Sequence, residues 1–250
     1  MEALIMMKKK KSSLGNYKPE DVKENAFKIQ EAYKTARTNL MFSLANSHQV
    51  LFTSYEPNAG KSVSIANISV SMAQTGAKVI LIDADMRNAS QHRIFKVANN
   101  NGLSKVLGGL SNIEDDIICK SVAPNLDLLT AGPIPPNPSE LLGSDRMRVL
   151  LATLSKQYDY VFIDTPPIGV VSDTLSLYAH LKNTVIIVRE RQSRYDHIKT
   201  LTEQTTALGS KICGILVTDV SSSNKTIDKV YSKKSLSRYI NSTVNYSQGE

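Results

Sequence analysis

Apolar residues in this chain gather into short runs of β character, separated by stretches with helical spacing. The runs cover residues 50–54, 78–83, 126–130, 160–164, 184–189 and 212–218. Between them, apolar positions three and four apart predict helices over 62–74 and 146–156. Upstream, residues 24–44 keep helical spacing without a Pro or Gly, which predicts one long helix. Buried strands alternating with helices are the pattern of a mostly parallel central sheet covered on both faces, an α/β three-layer fold. Residues 1–22 are polar, Lys-rich and without periodicity, and read as a mobile basic arm. Residues 23–221 form the folded body, and residues 222–250 turn polar again as a flexible, Tyr-containing tail.

Three strand ends carry chemistry. Ser54-Tyr55-Glu56-Pro57-Asn58-Ala59-Gly60-Lys61-Ser62 follows one predicted strand and opens a predicted helix, the setting that a phosphate-binding P-loop requires. Backbone N–H groups of such a turn point at phosphate oxygens, and the helix N-terminus adds a favourable partial charge. In that role Pro57, Asn58, Ala59, Gly60, Lys61, Ser62 and Val63 line the nucleotide site. Lys61 reaches the β- and γ-phosphates, and the Ser62 hydroxyl ligates Mg²⁺. The match to G-x-x-x-x-G-K-[ST] is incomplete, because Tyr55 stands where the first Gly belongs.

The other two strand ends are acidic. Val79-Ile80-Leu81-Ile82-Asp83-Ala84-Asp85-Met86-Arg87 ends one apolar run with two carboxylates and an Arg; Tyr160-Val161-Phe162-Ile163-Asp164-Thr165-Pro166-Pro167 ends another with one. A lone strand-end Asp can simply cap the next helix. In an open parallel sheet, however, ligands sit beyond the carboxyl ends of the strands, so three such ends read together as one P-loop NTPase-like site.

At these residues the chain resembles the bacterial tyrosine kinases (BY-kinases) of capsular and exopolysaccharide biosynthesis. That family combines a Walker A loop, a second apolar strand ending in D-x-D-x-R, and a Walker B of the form D-x-x-P. Here they stand in order as Gly60-Lys61-Ser62, Asp83-x-Asp85-x-Arg87 and Asp164-x-x-Pro167. The resemblance extends to Ala131-Gly132-Pro133-Ile134-Pro135-Pro136-Asn137-Pro138-Ser139-Glu140-Leu141-Leu142, where Asn137 reads as a helix cap, Pro138 as the first helical residue and Glu140 as the partner in a capping box. It implies ATP-dependent phosphoryl transfer to tyrosine. Ser62 and Asp85 would hold Mg²⁺, with Asp164 acting through a water; Asp83 would accept or steer the tyrosine proton, and Arg87 would orient the carboxylates or a phosphate. Autophosphorylation would fall on the tail residues Tyr231, Tyr239 and Tyr246.

The resemblance also implies partners. The family's helical E-x-x-R-x-x-R, a subunit contact in a ring-like homo-oligomer, stands here as Glu31-x-x-Lys34-x-x-Arg37, with Lys losing the bidentate geometry of Arg. A separate transmembrane adaptor is expected to hold the kinase at the inner face of the cell membrane, with a cognate tyrosine phosphatase reversing its product. Some positions depart from the pattern. Asn58 replaces a Gly but tolerates a left-handed backbone, Val63 replaces a hydroxyl residue, and Thr218 stands where related ATPases often keep an adenine-contacting Asn.

Two rivals remain open at this point. One is a non-kinase P-loop ATPase of the partition, septum-site or iron–sulfur-carrier type; against it, Glu56 stands where many of these carry a signature Lys, and Cys119 and Cys213 lie in unrelated segments. The other is a nucleotide-binding scaffold for polysaccharide assembly.

Charge sharpens the picture. The formal net charge is +7, yet residues 31–221 balance 18 basic against 17 acidic side chains, and the excess lies in the two ends. A nearly neutral body argues against a nucleic-acid face. No apolar run approaches the roughly 18 residues of a membrane span, and two cysteines give no disulfide framework, in keeping with a reducing cytosol. Each phosphotyrosine adds about −1.5 to −2, so modification of all three tail residues would reverse the sign of that tail.

Overall fold

A computed structural model describes residues 19–44, 48–112 and 117–220, with side chains from residue 27 onward. The tail tyrosines Tyr231, Tyr239 and Tyr246 and most of the N-terminal arm lie outside the described residues. Seven strands form one sheet: β1 (Gln49–Thr53), β2 (Val79–Asp83), β3 (Cys119–Ala123), β4 (Leu126–Leu129), β5 (Tyr160–Asp164), β6 (Asn183–Arg189) and β7 (Lys211–Thr218). Their order is β3-β4-β2-β5-β1-β6-β7, and every pairing is parallel except β3 with β4. The α/β reading with a mostly parallel sheet therefore holds, and the antiparallel edge strand β3 is an addition to it.

Alternation along each strand divides the core into two faces. Leu51, Ile80, Ile82, Val161 and Ile163 point to one side, where they meet α4 (Leu103–Leu107), α5 (Pro138–Leu142), α6 (Asp145–Gln157) and α7 (Asp173–Leu177). Val50, Phe52, Val79, Leu81 and Phe162 point to the other, against α1 (Pro19–Leu44) and α2 (Lys61–Ala73). A short α3 (Gln91–Phe95) follows β2, and α8 (Tyr195–Ala207) packs Leu201 against Ile186 and Val188 of β6. Helix α2 has eleven of its thirteen residues buried, which its small Ser and Ala positions permit between the sheet and α1. The first helix begins at Pro19, inside the segment expected to be a mobile arm. Among the described residues no helix is long and apolar enough to cross a membrane.

One local expectation is corrected. Asn137 does precede α5 and Pro138 does start it, but the Asn137 side chain makes no cap to the helix backbone. Its amide donates instead to Glu140 Oε2 at 2.6 Å, so the two side chains satisfy each other and no capping box forms. Ser144, unremarked in the sequence, is the true side-chain cap, accepting from Met147 N ahead of α6.

Candidate active site

The three strands that carry the motifs are neighbours, in the order β2-β5-β1. Register places Asp83 beside Asp164 and Asp164 beside Phe52, so the P-loop and both acidic ends leave the sheet together. The P-loop turns through two left-handed residues, Asn58 (φ 59°) and Gly60 (φ 79°). Asn accepts that conformation at low cost, as its short side chain allows. Gly60 caps α2 in the same region, and it is this positive φ that favours glycine, since an added Cβ would meet Thr218 only at ordinary contact distance. The Thr218 hydroxyl donates to the Ala59 carbonyl at 2.7 Å, so this residue braces the loop.

Lys61 is buried and its ammonium forms a close ion pair with Asp164 Oδ1. The other carboxylate oxygen of Asp164 accepts from Gln91 Nε2 at 2.6 Å, and the same amide reaches the Ser62 carbonyl at 3.0 Å. Gln91 thus joins all three motif segments, and its Oε1 is buried without a hydrogen-bond partner. The sequence offered one faint signal for it, a long amide side chain eight residues beyond Asp83.

The two carboxylates at the end of β2 have different surroundings. Asp83 is 0% exposed; its Oδ1 accepts from Asp85 N at 3.3 Å, and its Oδ2 accepts from Ser90 N and Gln91 N, each at 2.9 Å. Burial, reinforced by the nearby Asp164 charge, pushes the Asp83 carboxyl up to about 7 against the pull of those amides. Asp85 is 7% exposed and lines the cavity above Lys61 and Ser62. Burial raises its carboxyl too, while Lys61 and the amide of Asn88 draw it down in part. Asp83, expected from the sequence to accept or steer the substrate proton, does not line the cavity in this structure; its oxygens accept from the segment that leads into α3.

Arg87 lines the cavity but is held by a different carboxylate from those expected. Its carboxylate partner is neither Asp83 nor Asp85 but Asp173 at the start of α7, gripped through Nε at 2.7 Å and Nη2 at 3.1 Å. Ser139, the second residue of α5, donates to the same Asp173, which ties the start of α5 through Arg87 to the segment after β2. The guanidinium and its hydrogen bonds hold the Asp173 carboxyl below its usual range despite burial.

The cavity has a volume of about 870 Å³ and is lined by Pro57, Asn58, Ala59, Gly60, Lys61, Ser62 and Val63, by Asp85 and Arg87, and by Arg189 and Thr218 across the mouth. That size is within the range of nucleotide-sized ligand sites. Asp164 lies beneath Lys61, fully buried. The proposed subunit motif is not held on one free face. Lys34 pairs with Glu31 at 2.8 Å on the surface, whereas Arg37 turns inward and donates to Ser71 O of α2 at 3.0 Å. That bond uses Nη1, while Nε of Arg37 is buried without a hydrogen-bond partner.

Fold and site together define a P-loop nucleotide-binding domain, and a family model described as an AAA domain matches residues 57–212. The tyrosine-protein kinase YwqD of Bacillus subtilis is 37% identical over 189 residues, 75% of this chain and 79% of that protein. The kinase domain of the Escherichia coli tyrosine kinase ETK superimposes with a TM-score of 0.76 at 29% identity, covering 86% of this chain and 85% of that one. The chain belongs to the bacterial tyrosine-kinase family. Similarity to the septum site-determining protein MinD of Pyrococcus horikoshii (TM-score 0.60, 21% identity, 73% of this chain and 76% of that one) extends to the fold alone. The kinase reading therefore stands over the partition-type rival.

Proposed function

We propose that this chain transfers the γ-phosphoryl group of ATP to tyrosine hydroxyls, its own Tyr231, Tyr239 and Tyr246 among them, in the control of capsular or exopolysaccharide synthesis and export. The observation that carries this reading is the meeting of Lys61, Ser62, Asp85 and Asp164 at the ends of three adjacent strands, beside a cavity of nucleotide size. Backbone N–H groups of the P-loop cradle the phosphates. Lys61 exchanges Asp164 for phosphate oxygens and steadies the charge that spreads over them during transfer. A phenol of pKa about 10 needs a carboxylate near its oxygen to lose its proton in step with transfer. Asp85, the carboxylate that lines the cavity, takes that part, while Asp83 holds the segment and Gln91 holds Asp164.

The donor set for a cation is oxygen only: the Ser62 hydroxyl, with Asp164 and Asp85 behind it. That chemistry suits Mg²⁺, a hard ion that keeps several waters. Substrate phosphates and water would complete the shell of such an ion. When bound, Mg²⁺ supplies charge neutralisation at the β- and γ-oxygens.

Resemblance to the family supports the remaining parts: a transmembrane adaptor that holds the kinase at the inner membrane face, a ring-like homo-oligomer in which neighbours modify each other, and a phosphatase that resets the tail. Glu31 and Lys34 form a partly exposed surface pair, and Arg37 keeps guanidinium donors beyond the one given to Ser71, which supports a contact of this motif with a neighbour. Mass spectrometry after incubation with ATP and Mg²⁺ tests the reading. Phosphate is expected on the tail tyrosines and absent in Lys61→Met; unmodified tyrosines in an enzyme that turns over ATP would overturn it.

A further inference from the structure

An acidic side chain is out of place in a loop that binds polyphosphate, because its charge opposes the ligand. Glu56 lies in the P-loop, four residues before Gly60; it does not line the cavity, and both its carboxylate oxygens have partners at residues 193–197. Its Oε2 accepts from the Ser193 hydroxyl at 2.9 Å. Its Oε1 accepts from Arg194 N at 3.3 Å and meets His197 Nδ1 at 2.8 Å. A carboxylate only accepts here, so Nδ1 carries the proton. The His197 ring in turn stacks on Tyr55, with centroids 4.2 Å apart and planes 20° from parallel. Burial pushes the Glu56 carboxyl up, but these donors outweigh it and hold it below the usual carboxylate range. A second strut lies alongside: Arg189 Nη1 donates to the Asn58 carbonyl at 3.1 Å, while Arg189 N donates to Ser193 Oγ at 3.0 Å.

The loop being held is short of glycine. Tyr55 and Asn58 occupy places where Gly would let the turn form freely, so the arrangement of its amides needs support from elsewhere. Tyr55 and Glu56 both hand that support to the start of α8, some 140 residues away in sequence. We propose that Glu56 and His197 are positioning residues: a latch from the P-loop to α8 that pre-aligns the loop amides for nucleotide. Neither touches the reacting atoms. The inference rests on the kinase reading only for its nucleotide readout.

The test uses the full chain and the variants Glu56→Ala, His197→Ala, their double mutant and the milder Ser193→Ala, with Glu203→Ala on the exposed side of α8 as control. Amide hydrogen exchange is followed without nucleotide, and ATP kinetics separately. A hydrogen bond to a charged group is worth about a factor of ten or more. Exchange over residues 54–62 is therefore expected to rise about tenfold in either single variant, less in Ser193→Ala and not at all in the control. The double variant should fall short of the product of the two single effects, because both remove the shared Glu56–His197 contact. The KM for ATP should rise about tenfold and outrun any fall in kcat. Unchanged loop exchange, an equal acceleration in β5, multiplied effects in the double variant, or a lower kcat with KM unmoved would each overturn the latch. Failure of the wild-type chain to bind ADP would instead overturn the nucleotide reading, with exchange still deciding the latch.

Discussion

Replacing Lys61 by Met keeps the aliphatic bulk of the side chain and removes its charge. The partner left behind is Asp164, whose side chain is 0% exposed against 8% for the lysine. Removing one member of a buried ion pair costs about 3–5 kcal/mol, because the survivor stays desolvated and unneutralised. Gln91 still donates to Asp164 at 2.6 Å, which places the loss at the low end, about 3 kcal/mol. Urea unfolding of the nucleotide-free protein reads this as a midpoint lowered by roughly 1 M, for a slope near 3 kcal/mol per M. Asp164→Asn in the same chain removes the stranded charge, so the double variant Lys61→Met/Asp164→Asn should regain most of the loss. Equal stability of Lys61→Met and wild type, or penalties that simply add around the cycle, would refute the resting ion pair. Both variants should lose phosphotransfer, so stability separates the resting contact from the catalytic one.

Other consequences can be checked one at a time. Asp85→Asn should lower phosphotyrosine formation by roughly 10²-fold, whereas Asp83→Asn should act mainly on thermal stability, because Asp83 fixes the start of α3; a larger kinetic loss in Asp83→Asn would reverse the roles. A Cβ at Gly102 would sit 2.3 Å from Thr130 O and 2.4 Å from Gly132 N, so Gly102→Ala should cost about 3 kcal/mol in denaturant unfolding. Gly214→Ala meets nothing within 4 Å and should stay within about 1 kcal/mol of wild type. Burial raises the Asp127 carboxyl, but Tyr158 OH, Ser121 N and Lys120 outweigh it and leave it below the ordinary 3.8. A depressed folded value means that the contribution is present above pH 3.8 and lost as pH falls through the lower value. As pH is lowered below about 4, melting temperatures should therefore fall less steeply in Asp127→Asn than in wild type.

The sheet was legible because its central strands are buried on both faces, and an uninterrupted run such as Tyr160-Val161-Phe162-Ile163 has few alternatives. Strand β3, Cys119-Lys120-Ser121-Val122-Ala123, lacked that signal: it is an edge strand, its middle is exposed, and its register shifts. Asn58 was readable as a left-handed residue because that conformation is a local property. The partners of the site residues were not. Arg87 with Asp173, Gln91 with Asp164 and Glu56 with His197 lie 86, 73 and 141 residues apart, and no local pattern pairs them. The same limit explains the capping-box error, where spacing identified Asn137 and Glu140 correctly but not which atoms they would choose.

The central claim is tested most directly by a mixing experiment with γ-labelled ATP and Mg²⁺. The donor is the Tyr231/Tyr239/Tyr246→Phe chain, which keeps its active site, and the acceptor is Lys61→Met, which keeps its tail. The account predicts label on the tyrosines of the Lys61→Met chain only when both are present. Label released wholly as inorganic phosphate, with no phosphotyrosine on either chain, would contradict it and mark the protein as a nucleotide hydrolase.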